Sequence, residues 1–240
     1  MNVKIAVVYH GEPKLCSTVI DRSDIFVPIM AGSIWNKKKF DFPNMLYDNV
    51  GDNISWLNPY INEITAIYWV GRHLDMLGNP DYVGINHYRR LFDPNDVVKH
   101  LNPDTLLVNE EEIMLPTVDF LDMCHGLGPY VVELSDKIID KNDAAMQKLF
   151  FEFLVSKVYF GRNLFVVPKN VMINLADNIQ NLLMTVAKDI CFDMYGTPAA
   201  RSIGFIMERM VGFYFLTLVR RNGYKARPTT YYYLEEEDFL

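Results

Sequence analysis

A short segment of the chain ends in side chains that could bind and polarise an anionic group. Asn86-His87-Tyr88-Arg89-Arg90 follows an apolar run over residues 82–85, whose β-branched and aromatic side chains predict a buried strand. In open α/β sheets, ligands bind beyond the carboxyl ends of the strands. Adjacent arginines present planar, permanently charged groups that match phosphate oxygens. The segment therefore predicts a phosphate-binding site, although an edge strand that ends in solvated charges has the same composition.

The composition is that of a globular protein with a substantial core. The chain has 240 residues, of which 50% are hydrophobic and 22% are charged, so one domain of ordinary to large size is expected. The net charge of −7 excludes nucleic-acid binding through a general basic surface, while a few convergent arginines can still bind an anion. Cys16, Cys124 and Cys191 show no paired spacing, which favours a reducing cytoplasm over a disulfide framework or a zinc site.

Membrane association is expected to be peripheral at most. No uninterrupted apolar run approaches membrane-spanning length, and the first residues lack a secretory signal. We therefore expect a cytoplasmic protein that reaches a membrane-bound substrate from the inner face or through partners.

Three unusual strings follow one another closely in the first half of the chain. They are Gly51-Asp52-Asn53-Ile54-Ser55, the run from Glu63 to Trp69, and the run from Gly84 to Arg90. In this order they resemble the bacterial and viral glycosyltransferase-like family called domain-of-unknown-function group 4422 (DUF4422), which is linked to capsule and exopolysaccharide synthesis. Further matching strings occupy residues 112–116, where glutamate replaces the family's aspartate, residues 163–167 and residues 204–209.

The resemblance implies a GT-A-like fold, the fold of many nucleotide-diphospho-sugar transferases. The implied fold is a single α/β domain over residues 1–240 with a mostly parallel central sheet flanked by helices. The nucleotide-binding part would occupy about residues 1–110 and the acceptor-side part about residues 111–240. Apolar runs predict strands at Val3–Tyr9 and Phe26–Met30. Asn58-Pro59 predicts a helix start with Asn58 as the cap, and the periodicity carries that helix to residue 77.

The second half of the chain continues with strands and core-facing helices. Short apolar runs predict strands at residues 105–108, 112–116 and 163–167, and a late strand within residues 229–233. Helical spacing predicts helices over residues 141–158 and 202–220.

The function that the resemblance implies is transfer of a hexose, such as galactose or galactofuranose, from a uridine diphosphate (UDP) sugar to a growing surface glycan or a lipid-linked oligosaccharide. A non-catalytic sugar-nucleotide or glycan-binding protein of the same fold is the alternative. On the donor side, an Asx turn at Asp52 and Asn53 and a loop histidine at position 10 would need no ligand. The implied donor-binding residues are Tyr9, His10, Asp52, Asn53, Asn58, His87, Tyr88, Arg89 and Arg90.

The leaving diphosphate must be stabilised, and the sequence offers two ways to do this. Many GT-A enzymes hold a divalent metal with an Asp-x-Asp motif, which occurs nowhere in this sequence. We interpret Arg89 and Arg90 as replacing some or all of the metal's charge, with His87 and Tyr88 donating hydrogen bonds. The cofactor is thus unknown, and Mg²⁺ or Mn²⁺ held by His87 with an aspartate, Asp52 or Asp93, is the alternative. A nucleotidyl- or phosphotransferase would require clustered acidic ligands at a strand end.

A carboxylate must accept the proton of the attacking hydroxyl in an inverting reaction. Glu208 is the first candidate and Glu63 the second, both within strings that resemble the family. Apolar neighbours of Glu208 would raise its pKa if it is buried unpaired. On the acceptor side the resemblance indicates His125, Asn163 and Arg209. A packing histidine at position 125 and a backbone-capping amide at position 163 are the alternatives.

Overall fold

A computed structural model describes residues 2–10, 16–36, 42–140, 142–189 and 198–235. Cys191 and the side chain of His125 lie outside the described residues. The strands are β1 (Val3–Tyr9), β2 (Phe26–Met30), β3 (Leu46–Tyr47), β4 (Tyr82–His87), β5 (Arg90–Phe92), β6 (Thr105–Glu112), β7 (Val158–Pro168), β8 (Lys225–Pro228) and β9 (Tyr231–Tyr233). The helices are α1 (Ser17–Asp21), α2 (Asn58–Ile61), α3 (Ile64–Arg72), α4 (Pro94–His100), α5 (Thr117–His125), α6 (Gly128–Ile138), α7 (Ala144–Val155), α8 (Lys169–Val186) and α9 (Ser202–Arg221).

One sheet organises the domain. Its main path is β3-β2-β1-β4-β7-β6-β8. The pairings make β7 antiparallel to both β4 and β6, while the other six strands of this path run in one direction. The predicted α/β fold with a mostly parallel central sheet is therefore confirmed. β5 and β9 form an antiparallel extension beside the end of β4.

The central strands are covered on both faces, and this explains their nearly continuous apolar sequence. Successive side chains of β1 alternate between two cores. Ala6 and Val8 pack with α3 and α9, whereas Val7 and Tyr9 pack in a second cluster on the opposite face. The alternation decides which side of the sheet receives each functional side chain at the carboxyl end of a strand.

The continuous helix predicted for residues 58–77 is wrong. The segment forms α2, α3 and a 3-10 turn at Leu74–Leu77, and it breaks at Asn62, which has a left-handed φ of 55°. Asn58 does not cap a helix. Its Nδ2 instead donates to the backbone oxygen of Asn62 at 2.7 Å and to Thr65 Oγ1 at 3.2 Å. A Cβ on Gly204 would lie 2.5 Å from Asn62 Nδ2 and 3.1 Å from the backbone oxygen of Tyr60, so α9 approaches this break closely. The break places Glu63 immediately before α3.

The structure merges or trims other predicted elements. Residues 105–108 belong to a single strand, β6, which pairs with β7 as far as Glu112. The strand predicted at residues 112–116 is therefore wrong beyond its first residue, because the chain leaves the sheet there and enters α5. The helix predicted for residues 141–158 is shorter, since the Asp143 side chain caps α7 by accepting from the amide of Met146.

Helix α9 has the length and apolar composition of a membrane-crossing helix, which the sequence reading did not single out. In the structure 56% of its most apolar window is buried within the protein. The helix packs against β7 and α2, and its buried residues include Ile206, Met207 and Phe213. It is therefore a core helix of this domain, with its first turns near the carboxyl end of the sheet.

A buried aspartate ties three loops together at that end. Asp48 is fully buried and its carboxylate accepts the backbone amides of Gly32 and Ser33, both at 2.9 Å. It also accepts the hydroxyls of Ser33, Ser55 and Thr65 at 2.8, 2.6 and 2.8 Å. Five donors satisfy the buried charge without a cationic partner.

We expect Asp48→Asn to lower the free energy of unfolding by about 2–4 kcal/mol. One carboxylate oxygen becomes an NH₂ group, which is a donor that faces the donors now bound to Asp48. Denaturant unfolding followed by circular dichroism measures this change. Asp75→Asn is the matched control: Asp75 is exposed, and its replacement should change stability by less than about 0.5 kcal/mol. Equal midpoints for the two variants would contradict this account.

Candidate active site

A cleft of about 540 Å³ opens at the carboxyl ends of β1 and β4. His10 follows β1 and His87 ends β4, and their ring centroids are 5.7 Å apart. Arg90 of β5 and Arg201, which directly precedes α9, also line this cleft. The strand ends thus bring two imidazoles and two guanidinium groups together, as expected for an α/β fold.

Both imidazoles are neutral near pH 7. Burial lowers the pKa of His10 to about 4, and the positive charge of Arg201 acts in the same direction. Burial also lowers the pKa of His87 to about 3, with further lowering by His10 and by Arg90. A neutral imidazole donates one hydrogen bond and accepts one. The positive charge on this side of the cleft therefore comes from the arginines.

Arg90 has unused hydrogen-bonding capacity inside the cleft. Its guanidinium carbon lies 5.4 Å from the centroid of the Tyr233 ring, and its buried Nε makes no hydrogen bond with the described residues. A buried donor left without a partner costs about 1–3 kcal/mol. By contrast, Arg201 Nε donates to Asn62 Oδ1 at 2.6 Å.

The predicted His-Tyr-Arg-Arg group is divided between two sides of the sheet. The Tyr88 ring stacks on Tyr9 with centroids 5.7 Å apart, and both belong to the second core cluster. The guanidinium carbon of Arg89 lies 5.1 Å from the Tyr88 ring centroid, and Arg89 is exposed. Of this group, His87 and Arg90 line the cleft. Tyr9, Tyr88 and Arg89 form an aromatic and cationic stack beside it, and the Tyr88 ring contacts the His87 ring at a centroid distance of 4.5 Å.

The opposite wall of the cleft carries carboxylates, with Glu208 of α9 among them. Its Oε1 accepts from the backbone amide of Arg162 at 3.0 Å and from Arg209 Nη1 at 3.3 Å. Burial raises the pKa of the Glu208 carboxyl, and the negative charges of Glu63 and Glu111 raise it further against the opposing guanidinium of Arg209. Glu208 therefore holds a proton more tightly than an ordinary glutamate, as a general base requires.

Arg209 is buried between aromatic rings. Its guanidinium carbon lies 3.8 Å from the Tyr159 ring centroid and 5.4 Å from that of Phe120. Arg209 Nε is buried without a hydrogen bond to the described residues. The side chain lines the cleft, and its Nη1 donates to the carboxylate of Glu208.

A bulge in β7 supports both candidate bases. In the register of β6 with β7, Val108 is opposite Phe165 and Glu110 is opposite Phe160, so the single residue Asn109 faces residues 161–164. Arg162 and Asn163 both have left-handed φ angles, 58° and 53°, each of which costs about 1–2 kcal/mol. Such strain persists only where surrounding contacts hold it.

The two strained residues contact the candidate bases directly. The amide of Arg162 donates to Glu208, as described above, and Asn163 Nδ2 donates to Glu63 Oε1 at 2.9 Å. Asn163 is thus not a backbone cap, since its amide binds a carboxylate. Its Oδ1 is buried without a partner among the described residues.

Glu111 was missed by the sequence analysis. Its carboxylate accepts from Asn109 Nδ2 at 2.8 Å, from the Tyr159 hydroxyl at 3.0 Å and from Arg162 Nε. Burial alone would raise the pKa of Glu111, but the hydrogen bonds from Asn109, Arg162 and Tyr159 lower it, so the group is ionised. In the sequence, Glu111 lies within a run of three glutamates that is typical of a solvated edge. Arg162, Tyr159 and Arg201 carried no signal either.

Asp52 and Asn53, which the resemblance implied as donor-binding residues, do not line the cleft. Asp52 accepts from the Tyr68 hydroxyl at 3.0 Å and lies 3.6 Å from Arg72 Nε. The Asn53 side chain bonds within its own loop, accepting from the amide of Ser55. The Asx-turn interpretation thus describes Asn53, whereas the Asp52 carboxylate binds side chains of α3. Asn58 binds the helix break, as described above, and the side chain of His125 is not described.

The described residues do not form a divalent-metal site. No group of three or more His, Cys, Asp or Glu side chains among them has the arrangement of metal ligands. Asp93 caps α4 by accepting from the amide of Asn95 at 2.8 Å, and Asp52 binds Tyr68, so neither aspartate accompanies His87. Glu63 and Glu111 already accept hydrogen bonds from side chains. The donor set of the cleft does not fit Mg²⁺ or Mn²⁺.

Comparison with known proteins places the chain in a family. The family model described as "Domain of unknown function (DUF4422)" matches residues 4–218. The chain belongs to the DUF4422 family. This confirms the resemblance found in the sequence. No curated protein matches the DUF4422 chain.

The fold of the DUF4422 chain is shared with a solved glycosyltransferase structure. A structure titled as the apo form of the WbbM bifunctional glycosyltransferase superposes with a TM-score of 0.79 at 19% sequence identity. The match covers 98% of the DUF4422 chain and 46% of the other chain. The DUF4422 chain therefore has the fold of this neighbour and spans less than half of its length.

Proposed function

We propose that the DUF4422 chain is a glycosyltransferase that transfers a hexose from a UDP-sugar to a hydroxyl group of a glycan. One observation carries this proposal: a single cleft at the strand ends is lined by the guanidinium of Arg90 and by the carboxylate of Glu208, whose pKa is raised by burial. Displacement of a diphosphate by a hydroxyl needs both groups. The fold shared with a bifunctional glycosyltransferase supports the same reaction class.

In the proposed mechanism, the acceptor hydroxyl attacks the anomeric carbon of the donor sugar. The bond from that carbon to the diphosphate oxygen breaks, and its electron pair leaves on the diphosphate. The proton of the hydroxyl passes to Glu208. Arg90 and Arg201 stabilise the charge that develops on the diphosphate, and neutral His10 and His87 provide hydrogen bonds. Glu63 is the second candidate for the base.

The finer assignments follow from the motif resemblance. The proposed donor is a UDP-hexose, with galactose and galactofuranose as the first sugars to test, and the acceptor is a surface polysaccharide or its lipid-linked precursor. The reaction would take place in the cytoplasm, at most peripherally on the inner face of the membrane. No cofactor is assigned, and Arg90 and Arg201 would supply the positive charge at the diphosphate.

A panel of nucleotide sugars tests the proposal in two steps. The cognate donor should raise the melting temperature, because it binds only the native state. It should then release nucleoside diphosphate when a glycan acceptor is added, and release should continue with excess chelator. Stabilisation without release across a broad acceptor panel would indicate the non-catalytic binding function instead. Absence of stabilisation by any nucleotide sugar would contradict both functions, and loss of release with chelator would restore a metal to the mechanism.

We expect the turnover number to rise with pH through an acidic limb that reports the ionisation of Glu208. Because burial raises the pKa of this group, the limb should lie above the range of an ordinary glutamate. It should not report His10 or His87, whose pKa values of about 4 and about 3 keep them neutral over this range. The pH profile of the turnover number measures this limb. Its midpoint should be unchanged in His87→Gln, and a limb that moves with this substitution would contradict the assignment.

A further inference from the structure

We propose that Glu111 and Arg162 are positioning residues, whose ion pair holds the left-handed bulge of β7 so that its backbone orients Glu208 toward the acceptor hydroxyl. This inference rests on the proposed function, and it adds two residues for which the motif strings gave no role. Neither residue is required to touch the substrate in this arrangement.

The bulge lies at an interruption in the pairing of two neighbouring strands. The pairing of β6 and β7 is interrupted only between Val108 and Glu110 within the described register. At that point the bulge carries two consecutive non-glycine residues at positive φ, Arg162 and Asn163. A residue with a Cβ adopts this conformation when other contacts hold it there. The question is which contacts do so.

Glu111 provides that restraint from the neighbouring strand. It lies opposite Tyr159 in the β6–β7 register. Its carboxylate accepts hydrogen bonds from Asn109, Tyr159 and Arg162. Asn109 lies on β6 opposite the bulge, Tyr159 precedes the bulge on β7, and Arg162 lies within it. One ionised carboxylate thus clamps the bulge to β6. Charged hydrogen bonds of this kind are among the strongest in proteins.

The bulge in turn fixes one oxygen of the base. Glu208 Oε1 accepts the Arg162 amide directly. It also accepts Arg209 Nη1, whose guanidinium lies on the Tyr159 ring, and the Tyr159 hydroxyl donates to Glu111. Both donors to Oε1 are therefore connected to Glu111. Oε2 makes no hydrogen bond with the residues that the structure describes, and we assign it as the oxygen that accepts the proton.

Two substitutions at position 162 separate this role from direct substrate binding. Arg162→Ala removes the ion pair and keeps a Cβ, so the left-handed conformation loses its support. Arg162→Gly also removes the ion pair, but glycine adopts positive φ without help. We expect the turnover number of Arg162→Ala to fall roughly a hundredfold and that of Arg162→Gly only about tenfold or less. The KM for the donor should change little in either variant. Equal losses in the two variants would overturn the proposal.

A second pair of variants tests Glu111. Glu111→Gln should lower the turnover number about tenfold or more, because the charge that holds Arg162 is lost. Glu110→Gln is the matched control: Glu110 is the preceding residue on β6, is exposed, and does not line the cleft. In an Arg162→Gly background, Glu111→Gln should change turnover by less than about twofold, because residues that act through one contact are not additive. Additive losses would overturn the proposal.

A measurement without substrate distinguishes failure of this inference from failure of the proposed function. The carboxyl carbon of Glu208 can be followed by NMR in protein labelled with ¹³C-glutamate and assigned with Glu208→Gln. The amide of Arg162 lowers the pKa of Glu208. Glu208 should therefore titrate at higher pH in Arg162→Ala than in Arg162→Gly, because the glycine variant keeps the amide of residue 162 in place. If Glu208 titrates at the same pH in both variants, the positioning role is refuted. This result does not depend on whether the protein shows transferase activity.

Discussion

Glu208→Gln should lower the turnover number by about 10²- to 10⁴-fold, because the variant keeps the shape of the side chain and loses the proton acceptor. The amide oxygen of glutamine can still accept from the Arg162 amide and Arg209 Nη1, the two donors that bind Glu208 Oε1. The fold and the donor site should therefore persist. Steady-state release of nucleoside diphosphate, measured above the pH of the acidic limb, gives the turnover number and the KM for the donor.

The matched comparison is Glu63→Gln. Glu63 lines the same cleft and accepts from Asn163 Nδ2, so its loss should weaken turnover by a smaller factor than the loss of Glu208. Melting temperatures of both variants show whether each one folds. Near-normal turnover in Glu208→Gln, together with a large loss in Glu63→Gln, would transfer the base to Glu63. Near-normal turnover in both would remove general-base catalysis by either carboxylate.

Arg90→Gln is expected to have the second-largest effect, a fall of about 10²- to 10³-fold in the turnover number. The substitution removes a charge that is preorganised at the leaving diphosphate, a contribution of about 3–4 kcal/mol. Arg90→Lys should recover only a small part of this loss, because an ammonium group lacks the planar fork that binds two oxygens. Steady-state kinetics at saturating donor measure the loss of turnover in both variants. Product inhibition by nucleoside diphosphate should weaken in parallel with that loss.

A control for Arg90 is available on another strand. Arg227 of β8 is exposed and does not line the cleft, so Arg227→Gln changes the net charge by the same amount. Its kinetics should match those of the unmodified protein at ordinary ionic strength. If Arg90→Gln and Arg227→Gln have equal effects, Arg90 acts only through the overall charge and the leaving-group assignment is wrong.

The sequence predicted those parts of the fold and site that depend on local pattern. The apolar runs of β1 and β4 and the helical period of α9 are visible in single segments. Because ligands bind where parallel strands end, the strand pattern also predicted that His10, His87 and Arg90 would lie together at a ligand site. The motif resemblance added Glu63, Glu208 and Arg209, and all three line that cleft.

The parts that the sequence did not predict depend on contacts between distant segments. The bulge at Arg162 arises from the pairing of β7 with β6, whose partners Glu111 and Arg162 are 51 residues apart. The helix break at Asn62 lies against Gly204 of the distant helix α9. The packing of Tyr88 on Tyr9 rather than in the cleft was not predicted, because the sequence does not show which elements cover each side of the sheet.

The buried carboxylate of Asp48 has a consequence for exchanging segments among DUF4422 proteins. Its donors come from the turn after β2, the loop after β3 and the first turn of α3. A graft of one such segment from a relative would leave hydroxyls or amides without an acceptor, unless the donor protein has the same set. Chimeras designed to alter specificity at this end of the sheet should therefore transplant Asp48, Ser55 and Thr65 together.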